Sequence, residues 1–252
     1  MQPCWNIRPQ ELPQINMPDF AQLESKLTEG LNLSRRPVAI SFTSEPPAGA
    51  PPFEGQLPSG CSFWRLASEG RTFSTAPSDH YNCPIGSHTH NIPLPEARQG
   101  ELMQTLGLMT DIGYLRMEEV PGIPRLSFNP QCIVYAPLAD APVAPDVVIV
   151  SGKPSGIMLL VEAATRAGAA PQLPVLARPT CMSIPAALAG GVITSTGCIG
   201  NRVYTDLGED ELYAAVRGSD LERVAGELET IRSANAKLKE YHQLRRAEIA
   251  TA

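Results

Sequence analysis

The chain of 252 residues lacks an excess of basic charge: 20 Lys and Arg stand against 26 Asp and Glu, for a formal charge of −6. A nucleic-acid-binding protein needs a basic face, so that partner class is not expected. No apolar run approaches ~18 residues, so no membrane-spanning helix is expected either. Its longest apolar stretches, such as Val147–Val150 and Ile157–Val161, are strand- or helix-sized. The opening MQPCWNIRPQELPQ lacks a basic segment followed by an apolar one, so a secretory signal is not read and a cytoplasmic location is expected. A Walker loop, G-x-G-x-x-G, G-x-S-x-G and H-E-x-x-H are all missing. Their absence lowers the nucleotide-dependent, hydrolase and zinc-protease readings. Charged residues at 18% beside 43% hydrophobics exclude a disordered chain.

What is present is proline, 25 residues, about twice the usual share. Such a chain is not helical throughout. An irregular arm is expected over 1–18. Phe20, Leu23, Leu27 and Leu31 predict a helix opened by Pro18-Asp19. Strands are predicted at Pro37–Phe42, Cys132–Tyr135 and Val147–Val150, and helices at Pro95–Leu106 and Ile157–Ala167. Ser155 would cap the latter and Gly168 would stop it. No proline follows Pro185. Ser219-Asp220-Leu221-Glu222 reads as a capping box. Leu221, Val224, Leu228, Ile231 and Leu238 then predict one amphipathic helix from about 220 to 247. That helix suits packing on the parent domain or a homodimer.

The chain also resembles itself. PVAISFTSEPP, GCSFWRLASEG, RTFST and NCPIG in the first half parallel DVVIVSGKP, TCMSIPAALAG, GVITST and GCIG in the second. Each unit runs from an apolar strand to a cysteine followed nine residues later by glycine. A threonine-bearing strand comes next, and a second cysteine in an Ile-Gly turn closes the unit. The expected fold is therefore α/β (α+β): two pseudo-repeated mixed-sheet subdomains in one globular unit with a long C-terminal helix. The core would span 19–218, with units at about 37–86 and 146–200, and the helix would take 219–252.

A pseudo-twofold arrangement would bring Cys61, Cys83, Cys181 and Cys198 together. Six cysteines in a cytoplasmic chain are not expected to form disulfides. Ser183-Ile184-Pro185 reads as a helix start, which places Cys181 before a helix N-terminus and, by analogy, Cys61 as well. Such a position favours the thiolate. Cys83 and Cys198 read as turn residues. Four thiolates suit an iron–sulfur cluster, [4Fe–4S] ahead of [2Fe–2S]. A four-sulfur zinc site competes, although the C-x2–4-C pairs that announce zinc are absent. Small buried core residues or redox thiols are the third reading. Cys4 and Cys132 have no counterpart in the repeat.

A second constellation, DHYNCPIGSHTHN, holds His80, His88 and His90 around Cys83. In an extended segment His88 and His90 share one face. They would then serve as metal or haem ligands or as a general acid and base. The alternative is a set of turn residues bonded locally. Arg202, behind Gly200-Asn201, would bind a carboxylate or phosphate, or pair with Asp206 or Glu209.

These segments, with IVYAPLADAP, PDVVIVSGKP and GCIGNRVYTDLGEDELY, resemble the uncharacterised ArCR family of domains of unknown function. The likeness covers roughly residues 20–230. It implies that Cys61, Cys83, Cys181 and Cys198 act as a set. No activity follows from it, because the family has no settled reaction. Ser87-His88-Thr89-His90 looks like a subfamily feature.

The expected function is thus an iron–sulfur protein, a redox partner's electron carrier or an oxidoreductase or lyase acting on a small-molecule substrate. His88, His90 and Arg202 would be its candidate catalytic residues. A cofactor-free thiol-based regulator, and a haem or mononuclear-metal protein using His88 or His90, remain the alternatives.

Overall fold

The computed structural model describes residues 18–169 and 180–250. All of the expected arm except Pro18, and Cys4 within it, lie outside them. The elements are α1 (Phe20–Leu31), β1 (Val38–Thr43), α2 (Cys61–Ser68), β2 (Phe73–Thr75), α3 (Pro84–Thr89), α4 (Gln99–Asp111), β3 (Cys132–Pro137), β4 (Val147–Gly152), α5 (Pro154–Arg166), α6 (Thr180–Gly190), β5 (Val192–Ser195), α7 (Ile199–Thr205), β6 (Leu212–Arg217) and α8 (Gly218–Ala250). Short 3-10 turns fill several connections.

Among the described residues all six strands join one sheet in the order β2-β3-β1-β4-β6-β5, and every ladder in it is antiparallel. This α/β fold with its long C-terminal helix is the expected class. The two halves nevertheless share one sheet, because β1 and β4 pair across the centre and leave neither half an open inner edge. The order is unchanged when β1, β2 and β3 are exchanged for β4, β5 and β6.

The register obeys the same symmetry. Val38 to Thr43 face Pro137 to Cys132, as Val147 to Gly152 face Arg217 to Leu212. Val38 is thus equivalent to Val147. Between them β1 and β4 pair as Val38↔Ile149, Ala39↔Val148 and Ile40↔Val147. The Ala39–Val148 pair therefore maps onto itself, and the pseudo-twofold axis passes through it. Likewise Phe73↔Tyr135 corresponds to Ile193↔Ala215. Each half also takes a third strand, β3 or β6, beyond the units read from the sequence.

The sheet is covered on both faces, which explains why its central strands are continuous apolar runs rather than alternating ones. Ala39, Val148, Val150, Ala214 and Val216 point to a layer made by α1, α5 and α8. Val38, Ile40, Ile133, Tyr135, Ile149, Ile193 and Tyr213 point the other way, to Phe63 and Trp64 of α2 and Ile184 and Ala187 of α6. Helix α1 forms as its sequence predicts: Asp19 accepts from the Gln22 N–H at 2.9 Å, and Phe20, Leu23, Leu27 and Leu31 are buried.

Several helix boundaries differ from the sequence reading. Helix α4 follows a 3-10 turn at Glu96–Arg98 and continues through Gly107 to Asp111. Helix α5 opens at Pro154 with Lys153 as N-cap, so Ser155 is inside it, where proline at the first position already suits the start. Helix α6 begins at Thr180, which puts Ser183 and Pro185 within it. Ser183 does not cap: it is fully buried, 3.4 Å from the Tyr213 hydroxyl. Helix α8 begins at Gly218, so Ser219 is no cap. Asp220 is buried instead and pairs with Arg217 at 2.8 Å and with Arg223.

Helix α8 has two different parts. Leu221, Val224, Ala225 and Leu228 are buried against the sheet layer, and Ile231 is partly so. Beyond that point Leu238, Tyr241, Leu244 and Ile249 are all more than half exposed. No helix among the described residues is long and apolar enough to cross a membrane.

Candidate functional site

The four repeat-related cysteines all open helices. Cys61 is the first residue of α2, and Cys181 lies in the first turn of α6. Cys61 stands 12 residues before Phe73, and Cys181 stands 12 before its equivalent Ile193. Cys83 and Cys198 are the N-caps of α3 and α7, not turn residues without a helix. Proline at the first position of α3 and the N–H groups at the start of α7 account for the difference.

The helices then cross between the halves. α2 packs on α7, and its symmetry mate α6 packs on α3. Each first-unit cysteine helix thus lies against one from the second unit. The thiols consequently act on one another electrostatically. Burial pushes Cys61 up to about 11, and the charges of Cys83 and Cys198 push the same way. Burial also raises Cys181, reinforced by Cys61, Cys83 and Cys198. Cys198 is raised by burial first, against the opposing pull of backbone N–H groups, and then by Cys83. Burial thus opposes the thiolate at Cys61 and Cys181, the two positions expected to favour it.

Polar groups lie beside each of the cysteines. The Ser59 hydroxyl lies 3.8 Å from Cys83 Sγ and accepts from the Cys61 N–H at 3.3 Å. The Asn201 N–H donates to Cys198 Sγ at 3.2 Å. The Asn201 side chain hydrogen-bonds Cys61 in the other half, and the Thr89 side chain does so with Cys181. A Cβ on Gly86 would fall 2.9 Å from Cys83 Sγ, so glycine there keeps room for the sulfur. Tyr135 lies beneath the set; burial raises its phenol, and the charges of Cys61, Cys181 and Cys83 add to this. Ser59, Thr89, Tyr135 and Asn201 were given no role at the cysteines by the sequence. Thr89 and Asn201 carried a signal, Thr89 within the histidine-rich segment and Asn201 as the residue following the Cys-Ile-Gly turn.

Among the described residues, no three His, Cys, Asp or Glu side chains form a group that would hold a metal ion. The donor chemistry remains that of four soft thiols. A single tetrahedral zinc draws its sulfurs to about 2.3 Å from one centre. A cluster places iron and sulfide between its thiolates and spans more space.

The histidines part company. His88 is in α3 and His90 is its C-cap, so two residues separate them by more than half a turn, not by one strand face. His88 is half-buried, and its basicity is lowered by burial and then by Arg125. His90 is buried in the core, where its Nδ1 lies 3.0 Å from the Gly86 carbonyl and its Nε2 has no hydrogen-bond partner among the described residues. Its ring centroid is 6.1 Å from that of His80. His80 lies 2.9 Å from the Thr75 hydroxyl and packs on Phe63.

Arg202 spends its guanidinium on the backbone. Nη1 donates to the Gly208 carbonyl at 2.6 Å, and Nη2 donates to those of Thr196 and Glu211 at 2.7 and 3.0 Å. It pairs with neither Asp206 nor Glu209, but clamps the loops around α7. Cys132 is buried in β3 beside Ala50 and Val134.

No curated protein and no solved structure matches the chain. A family model described as uncharacterised ArCR matches residues 26–227, which span both cysteine units and the whole sheet. The chain belongs to the uncharacterised ArCR family.

Proposed function

We propose that Cys61, Cys83, Cys181 and Cys198 hold an iron–sulfur cluster, with [4Fe–4S] the expected form. The observation that carries this reading is the symmetric delivery of four thiols by four helix starts that interlock across the pseudo-twofold axis. Soft thiolates are the donor set such clusters take. When bound, the cluster would supply one-electron transfer or a Lewis-acidic iron. The chain's own residues would set its surroundings. The Asn201 N–H points at Cys198 Sγ, the Ser59 hydroxyl lies beside Cys83 Sγ, and Tyr135 and the aromatic layer beneath exclude water. Hydrogen bonds to sulfur and burial are the levers that tune a cluster.

Burial counts against the thiol-sensor alternative. A reactive sensor thiol is exposed and readily ionised, whereas Cys61 and Cys181 are each 7% exposed. The haem alternative loses its paired ligands, because His88 and His90 diverge.

The test is anaerobic purification or reconstitution with iron and sulfide, followed by metal and sulfide quantitation and visible absorbance. Iron with an equal amount of sulfide, and its loss in both Cys61→Ser and Cys181→Ser, is the expected result. Protein that stays colourless and iron-free after reconstitution overturns the reading.

A further inference from the structure

A cleft of about 290 Å³ opens beside α3, one residue beyond Cys83. Its walls include Pro84, His88, Ile92, Leu94, Leu102 and Arg125, and no lining residue is acidic. Arg125 is fixed at its rim: Nε donates to the His88 carbonyl and Nη2 to Asn91 Oδ1, both at 2.9 Å. Nη1 makes no hydrogen bond among the described residues. Most other arginines are neutralised by carboxylates, as Arg36, Arg65, Arg98 and Arg217 are. Others, such as Arg35 and Arg202, are spent on backbone carbonyls. Arg125 has no carboxylate within ion-pair distance among the described residues. A guanidinium immobilised by two bonds has already lost much of its freedom, so a ligand that engages it gives up less on binding.

One cation balances one negative charge, and apolar walls reward a hydrocarbon body. We propose that this cleft binds a small aliphatic monocarboxylate, with its carboxylate on Arg125 and its chain against Ile92, Leu94 and Leu102. At roughly 30 Å³ per water-sized group, the space suits a ligand of about eight to ten non-hydrogen atoms. The proposal does not rest on the iron–sulfur reading, and its test reads binding alone.

The experiment is calorimetric titration of the full, metal-free chain with hexanoate, with hexanamide as the uncharged counterpart. Saturable hexanoate binding is expected, with hexanamide weaker by about tenfold or more, the loss of one charge-assisted contact. Arg125→Gln should weaken hexanoate to a similar degree. Because Arg125 also ties down the end of α3, Leu102→Trp provides an independent check. It fills the cleft, and should abolish binding while leaving the melting temperature within a few degrees. No saturable binding at millimolar hexanoate, equal binding of hexanamide, or binding retained in Leu102→Trp would each overturn the proposal.

Discussion

His80 makes the fold acid-sensitive, and the size of the effect follows from its surroundings. Its ring is 2% exposed and packs at a tilt on Phe63 with centroids 4.8 Å apart. The Thr75 hydroxyl donates its one proton to the Ile133 carbonyl at 3.1 Å, so the imidazole must donate to Thr75 through Nε2. A second proton on the ring would be placed in the core without water. Burial, with a smaller contribution from the charge of His90, pulls the pKa from 6.5 down to about 3. The folded value lies below the unfolded one. The stability contributed by the neutral ring is therefore complete above about pH 6.5 and is lost as pH falls towards 3. The linkage amounts to about 2 kcal/mol between pH 7 and 5, and about 5 kcal/mol in full. Urea unfolding of the metal-free protein at pH 7, 6, 5 and 4 measures it. His80→Phe preserves the aromatic contact with Phe63 and leaves Thr75 its carbonyl acceptor, while removing the titrating group. His80→Gln controls for ring volume. Both variants should lose stability more shallowly with acid than the wild type, by about 2 kcal/mol at pH 5 relative to pH 7. Overpacking can change their absolute stability, so the pH dependence is the readout. Curves for wild type and variants that stay parallel within about 0.5 kcal/mol from pH 7 to 4 would refute the reasoning, since half a unit is well below the linkage expected from that shift.

Other perturbations test neighbouring parts of the structure. A Cβ at Gly156 would meet the Leu31 carbonyl at 2.6 Å, so Gly156→Ala should force α5 from α1 and cost about 1–3 kcal/mol in urea unfolding, despite alanine's better helix propensity. Gly86→Ala crowds Cys83 Sγ, so it should reduce retained iron after reconstitution more than it lowers the melting temperature. Arg202→Met removes three carbonyl contacts and should destabilise by about 2 kcal/mol, measured by denaturant midpoint. Truncation after Asn235 removes only the exposed part of α8. The melting temperature should then change by no more than about 3 °C, and a larger fall together with a change in sedimentation would show that this helix is covered by a second copy.

The symmetric sheet has a direct bearing on where chemistry can occur. Its axis runs between β1 and β4, and the cysteine-bearing helices meet above one face while α1, α5 and α8 seal the other. Aromatic residues lie under the cysteines: Phe63, Trp64, Tyr135 and Tyr213 are each no more than 2% exposed. A rigid, dry floor of this kind holds the four helix starts in place without depending on any one loop.

Local chemistry was readable wherever neighbours in sequence decide the outcome. Asp19 and the Phe20–Leu31 spacing specified α1, the apolar runs specified β1, β3 and β4, and the matched cysteine segments revealed the repeat. These signals depend on caps and periodicity, which need no distant partner. Pairing partners and burial are different. No local feature announced that β1 would meet β4, that α2 would pack on α7, or that Arg202 would spend itself on three carbonyls. The Ser183 and Ser219 caps failed for the same reason: Ser183 is buried against Tyr213, and Asp220 finds two arginines. The number and symmetry of the four cysteines were thus written in the chain itself. The burial of Cys61 and Cys181, which raises both thiols, and the separation of His88 from His90 arose only when the helices closed over the sheet, because desolvation depends on every element that excludes water.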